Sequence, residues 1–105
     1  MIVIALLLLA GAASPPTAAD VEAVEEARVI APFVNETRTG RRYAEFAPEV
    51  ETRNARCTEA PRGVYACTWD MRVKGYFDAA FGDWTHRAER LEFRGRCWRT
   101  VPLRR

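Results

Sequence analysis

Hydrophobic and polar positions follow three different periods along this chain. Ile2 to Ala13 is uninterrupted apolar sequence. From Asp20 to about Thr37, apolar residues recur every three or four positions: Val21, Val24, Ala27, Ala31 and Val34, with Ile30 widening the stripe. That spacing predicts an amphipathic helix. Asp20 stands where a cap is needed, and Glu22, Glu25 and Glu26 favour the positive end of the helix dipole. Pro32 makes the last turn uncertain, and Thr39-Gly40 is a stop signal. Arg41 to Pro48 then reads as an irregular connection, with Tyr43 and Phe46 as plugs over the core.

From Glu49 onward the period becomes two. In Val64 to Lys74, Tyr65, Cys67, Trp69, Met71 and Val73 alternate with Ala66, Thr68, Asp70, Arg72 and Lys74. This is the pattern of a half-buried antiparallel strand. A weaker strand covers about Val50 to Thr58. Leu91, Phe93 and Cys97 carry an inward face on a later strand, opposed by Arg90, Glu92, Arg94 and Arg96. The predicted fold is α+β: one N-terminal helix packed on a three-stranded antiparallel β-meander, stapled by a disulfide.

Turn chemistry constrains the registers. Pro61 and Gly63 suit a three-residue hairpin loop that pairs Ala60 with Val64. Cys57 then stands opposite Cys67, within disulfide range. For the second hairpin, Met71 opposite Phe93 and Val73 opposite Leu91 put Trp69 over Gly95. The same register sets Asp70 against Arg94 and Arg72 against Glu92, with a bulge at Gly75 and a tight tip at residues 81–84. It also brings Cys97 beside Cys67, so Cys67–Cys97 competes with Cys57–Cys67 as the bridge.

The apolar run changes the cellular picture. About 12 apolar residues are too few to span a bilayer core, which takes about 20. With Ser14-Pro15-Pro16-Thr17-Ala18-Ala19 behind them, residues 1–19 read as a secretory signal peptide and 20–105 as one small secreted α+β domain. Small residues suit cleavage after Ala19, although Ala10-Gly11-Ala12 also fits. Fifteen Arg against one Lys indicate a GC-rich genome, and a bacterial source would place the protein in the periplasm or outside the cell. Three cysteines in an exported chain then read as one disulfide and one remaining thiol.

Net charge is +2, but it is unevenly spread. Residues 20–51 hold eight acidic and four basic side chains; residues 86–105 hold seven Arg and two Glu. The basic end meets an anionic partner or faces the acidic N-terminal helix of its own chain; within it Arg90, Arg94, Arg96 and Arg99 form a candidate anion-binding stripe, with Glu92 among them and Asp70 opposite as compensating charge. Tyr76, Phe77, Phe81 and Trp84 cluster near one hairpin tip and form a candidate partner-binding patch, or fold back to close the core. A thiol enzyme using Cys97 with His86 is disfavoured, because that register separates the two by roughly 30 Å of strand. Asp70, Asp78, Asp83 and Glu89 form no catalytic pair by spacing. No metal-ligand spacing or cofactor motif occurs.

The expectation is therefore a non-catalytic interaction or binding module of the cell envelope. The partner would be a protein or an envelope polymer, and with Phe93 read as inward the basic strand shows no interleaved exposed aromatics, which argues against nucleic acid. The first alternative is a binder of an anionic envelope polymer through the Arg-rich C-terminal strand. The second is the thiol-dependent enzyme.

Overall fold

A computed structural model describes residues 14–102. The apolar run at residues 2–13, on which the secretory reading rests, lies outside the described residues. One helix, α1 (Ala18–Ile30), is followed by a short hairpin of β1 (Val34–Glu36) and β2 (Arg42–Ala44). Four further strands form an antiparallel sheet in sequence order: β3 (Glu49–Glu59), β4 (Val64–Lys74), β5 (Thr85–Arg94) and β6 (Cys97–Thr100). The α+β class and the staple are present, but six strands in two sheets replace the single three-stranded meander.

The helix begins two residues earlier than its charge pattern indicates. Thr17 is the N-cap, and its hydroxyl accepts from the Asp20 backbone N–H at 3.2 Å. The Asp20 carboxylate accepts from the Thr17 N–H at 2.8 Å, so Asp20 completes a capping box instead of opening the helix. The helix stops at Ile30 because Pro32 follows, and Ala31–Phe33 tightens into a single 3₁₀ turn. The sequence that followed as a last helical turn and an irregular link is the β1–β2 hairpin, closed through Gly40 at φ +86°.

The inward face of β4 is as its alternation predicts: Tyr65, Cys67, Trp69 and Met71 are buried. With Val21, Val50 and Leu91 they make the core, and Val24, Val29, Ala55, Val73 and Trp98 pack around it. The buried line of α1 runs through Val21 and Glu25, whereas Ala27 is exposed. The helical stripe is thus rotated from the purely apolar one.

Glu25 is fully buried. Its Oε2 accepts from Arg87 Nε at 3.3 Å, and its Oε1 lies 3.1 Å from Arg28 Nη1 without hydrogen-bond alignment. Arg28 Nη1 also donates to Glu89 Oε2 at 3.0 Å. Two arginines and two glutamates therefore tie α1 to the inward face of β5.

The first hairpin register holds. Cys57 is opposite Cys67 and bonded to it, with a Cα separation of 4.0 Å. Cys97 is free and exposed, so the alternative bridge is absent. Between Arg53 and Arg56 the register slips by one, with Asn54 at φ +58° forming the bulge.

The second hairpin register is different. Tyr65 faces Leu91, Cys67 faces Glu89, Trp69 faces Arg87 and Met71 faces Thr85. The pivot is a turn in which Gly75 N–H donates to Asp78 Oδ2 at 3.0 Å and the Asp78 N–H returns to the Gly75 carbonyl. A Cβ on Gly75 would meet that carboxylate oxygen at 2.7 Å. Gly75 is a turn residue here, not a bulge.

Gly95 does not lie beneath Trp69. At φ +70° it opens a two-residue turn with Arg96, in which only the glycine has positive φ, as a II′ turn requires. That turn reverses the chain into β6, so the stretch that read as one strand is two.

Candidate functional site

Among the described residues a helix covers one face of the sheet, and the other face is exposed. On the outward face of its first half, every charge is matched across strands. Lys74 lies 3.3 Å from Glu49, Arg72 pairs with Glu51 at 2.6 Å, and Arg53 lies 3.3 Å from Asp70. Asp70 also meets His86 Nδ1 at 3.0 Å and accepts from Asn54 Nδ2 at 3.1 Å. His86 first, then Asn54 and Arg53, hold the Asp70 carboxyl below the ordinary carboxylate value.

The loop after β4 lies over these pairs. Arg53 is stacked 3.9 Å from the Trp84 ring centre, and Arg72 lies 4.4 Å from Trp84 and 4.8 Å from Phe81. Both rings are half-buried. They fold back, as one reading of the aromatic cluster allowed, but onto guanidinium groups of the outer sheet face and not over the helix.

Tyr76 and Phe77 stay outside. They are 59% and 83% exposed, and Phe46, 53% exposed, joins them. The three rings touch one another: Phe46–Tyr76 at 5.1 Å, Phe46–Phe77 at 5.6 Å and Tyr76–Phe77 at 5.0 Å between centroids. Phe46 does not plug the core. It sits at φ +56°, a left-handed conformation that is uncommon for a bulky residue and costs about 1–3 kcal/mol. The patch therefore unites two of the four predicted residues with one from a loop 30 positions earlier.

The predicted arginine stripe is divided among three elements. Arg90 and Arg94 lie on β5, Arg96 in the turn and Arg99 on β6. Arg94 Nη2 lies 3.3 Å from Glu92. Of the basic end, Arg87 faces the acidic helix through Glu25, while Arg28 of the helix itself pairs with Glu89 on β5. Asp70 does not reach Arg94, nor Arg72 Glu92, because the register change carries them to His86, Arg53 and Glu51.

A groove of about 720 Å³ separates α1 from β6, lined in part by Ala23, Ala27, Phe93, Cys97 and Trp98. Cys97 pairs with Arg94 at the far end of β5 from His86. Eight residues of strand, roughly 27 Å, separate those ends. Cys97 and His86 are thus held apart, and Cys97 is exposed instead of inward.

Among the described residues, no group of three His, Cys, Asp or Glu side chains could hold a metal ion, and no helix is long and apolar enough to cross a membrane. No family model, curated protein or solved structure matches this chain.

Proposed function

We propose that this protein is a small, non-catalytic interaction module of the cell envelope, and that it engages a protein partner through Phe46, Tyr76 and Phe77. Three mutually contacting exposed rings carry the reading, one of them held in a strained backbone conformation. Exposed aromatic groups in contact form the kind of anchor that protein interfaces concentrate. Strain at Phe46 fits the pattern in which stability is given up to present a functional side chain. The Cys57–Cys67 disulfide and the apolar leader support an oxidising, extracytoplasmic address, periplasmic or secreted.

Photocrosslinking from position 77 in living cells tests this. A single discrete adduct is expected, absent when the crosslinker stands at exposed Ala79 and lost in Phe46→Gly. The glycine relieves the left-handed backbone, so Phe46→Gly should keep or raise the unfolding midpoint while losing the adduct. Equal adducts from positions 77 and 79 would refute the proposal.

A further inference from the structure

The two halves of the outward sheet face treat their cations differently. Near Glu49–Arg53, each basic group has a carboxylate across the strand, and Phe81 and Trp84 lie over them. Beyond the Asn54 bulge that arrangement stops. Arg56 and Arg90 are exposed and have no ion pair among the described residues. Between them the sheet surface is small and shallow: Thr58, Ala66, Thr68 and Ala88 form its floor, Val101 and Pro102 rise along one side, and Glu89, which also lines it, has its carboxylate bonded to Arg28 on the inward face. The Val101 N–H donates to the Arg90 carbonyl at 2.8 Å, which fixes that wall beside the arginine. The trough encloses about 770 Å³.

Strand pairing sets the spacing of the two guanidinium groups. Arg56 stands in a row with Thr68 and Ala88, and Arg90 in the next row with Ala66 and Thr58. Two strand separations and two residues along the strand put their Cα atoms roughly 12 Å apart on the diagonal. The side chains can thus reach different anionic groups of one extended ligand lying over the alanine floor. Beyond the trough Arg99 stands opposite Glu92, which is itself 3.3 Å from Arg94.

From this we infer that the trough is a binding site for an acidic polysaccharide chain, whose carboxylates meet Arg56 and Arg90 and whose ring hydroxyls meet Thr58 and Thr68. The donors offered are guanidinium groups and the Thr68 hydroxyl, and the Thr58 hydroxyl, which donates to the Ala66 carbonyl at 3.5 Å, keeps its lone pairs for a sugar hydroxyl. An acidic peptide would draw much of its affinity from main-chain hydrogen bonds along a sheet edge, and this trough lies on a face. Single-stranded nucleic acid wants exposed rings for base stacking. The rings on this face, Phe81 and Trp84, belong to the other half, stacked with Arg53 and Arg72. The site shares no residue with the aromatic patch, so either can fail alone.

The test is titration of the disulfide-bonded protein with polygalacturonate, using uncharged dextran, poly-glutamate and single-stranded DNA as comparators. Polygalacturonate should bind, dextran should not, and affinity should fall as salt rises from about 50 to about 300 mM. Arg56→Ser/Arg90→Ser should weaken binding at least about tenfold, and Arg56→Lys/Arg90→Lys by less, because charge remains while the planar fork is lost. Arg38→Ser/Arg41→Ser removes the same charge elsewhere and should change affinity less than about twofold. Ala88→Ile, which alters no charge, should weaken binding about fivefold or more by filling the floor. Equal losses in the two serine pairs would reduce the effect to net charge and overturn the site. So would tighter binding of poly-glutamate or DNA, or no binding of polygalacturonate at low salt.

Discussion

Glu25 and Arg87 form a contact in which the more exposed partner should matter more. Glu25 is fully buried, whereas the Arg28 and Arg87 side chains are 33% and 34% exposed. At the observed 3.1 and 3.3 Å, each attraction is gross about 5 kcal/mol for an effective dielectric near 20. Desolvating a buried carboxylate costs several kcal/mol, so most of that attraction is cancelled. Glu25→Leu removes attraction and desolvation together. The two arginines can turn to water, and Arg28 retains Glu89. The expected cost is about 1 kcal/mol or less.

Arg87→Met keeps most of the arginine stem against the core but strands the carboxylate. Oε1 already lacks a hydrogen bond, and Oε2 would lose its bond from Arg87. Leaving that charge with Arg28 alone should cost about 2–3 kcal/mol. With a urea m-value near 1.2 kcal/mol/M, Arg87→Met should lower the unfolding midpoint by about 2 M and Glu25→Leu by less than about 1 M. The double variant should resemble Glu25→Leu, showing coupling of about 2 kcal/mol. If Glu25→Leu costs about 3 kcal/mol or more, the scale of breaking a buried pair, while Arg87→Met is nearly neutral, the carboxylate is a net anchor and not a burden offset by its arginines.

Four further outcomes are expected. Cys57→Ser/Cys67→Ser should lose about 3 kcal/mol in urea unfolding, and native alkylation should modify one thiol, Cys97, which is exposed. Asp70 is held below its ordinary value, so its contribution is present above the unfolded carboxylate value of about 4 and is lost as pH falls through the lower folded value. Asp70→Asn should flatten the fall in urea midpoint on acidification below about pH 4. A chain beginning at Asp20 should unfold at lower urea than one beginning at Ser14, by about 1 kcal/mol, because Thr17 and its half of the capping box are gone. Equal midpoints would show that the cap adds nothing.

What could be read from the chain alone was local. Alternation at Tyr65, Cys67, Trp69 and Met71 identifies a buried strand face, because side chains on a strand have a period of two. Pro61 and Gly63 specify a loop length, and the loop length sets the Cys57–Cys67 register and the staple. Where the connection was longer, local signals were insufficient. The β4–β5 register argued from charge pairs, with Met71 opposite Phe93, is not the one formed: the Gly75–Asp78 turn together with burial of Trp69 and Leu91 sets Met71 opposite Thr85.

The same limit governs the surfaces. Tyr76 and Phe77 were legible as candidates, but Phe46 joins them only through the path of the hairpin that precedes β3. Arg90 was legible as basic, yet its standing beside an open floor depends on Arg56, two strands away. Whether a charge finds a carboxylate, a ring or water is decided by which strands become neighbours. Residues such as Glu25 and Arg87, 62 positions apart, meet only after the whole domain has assembled.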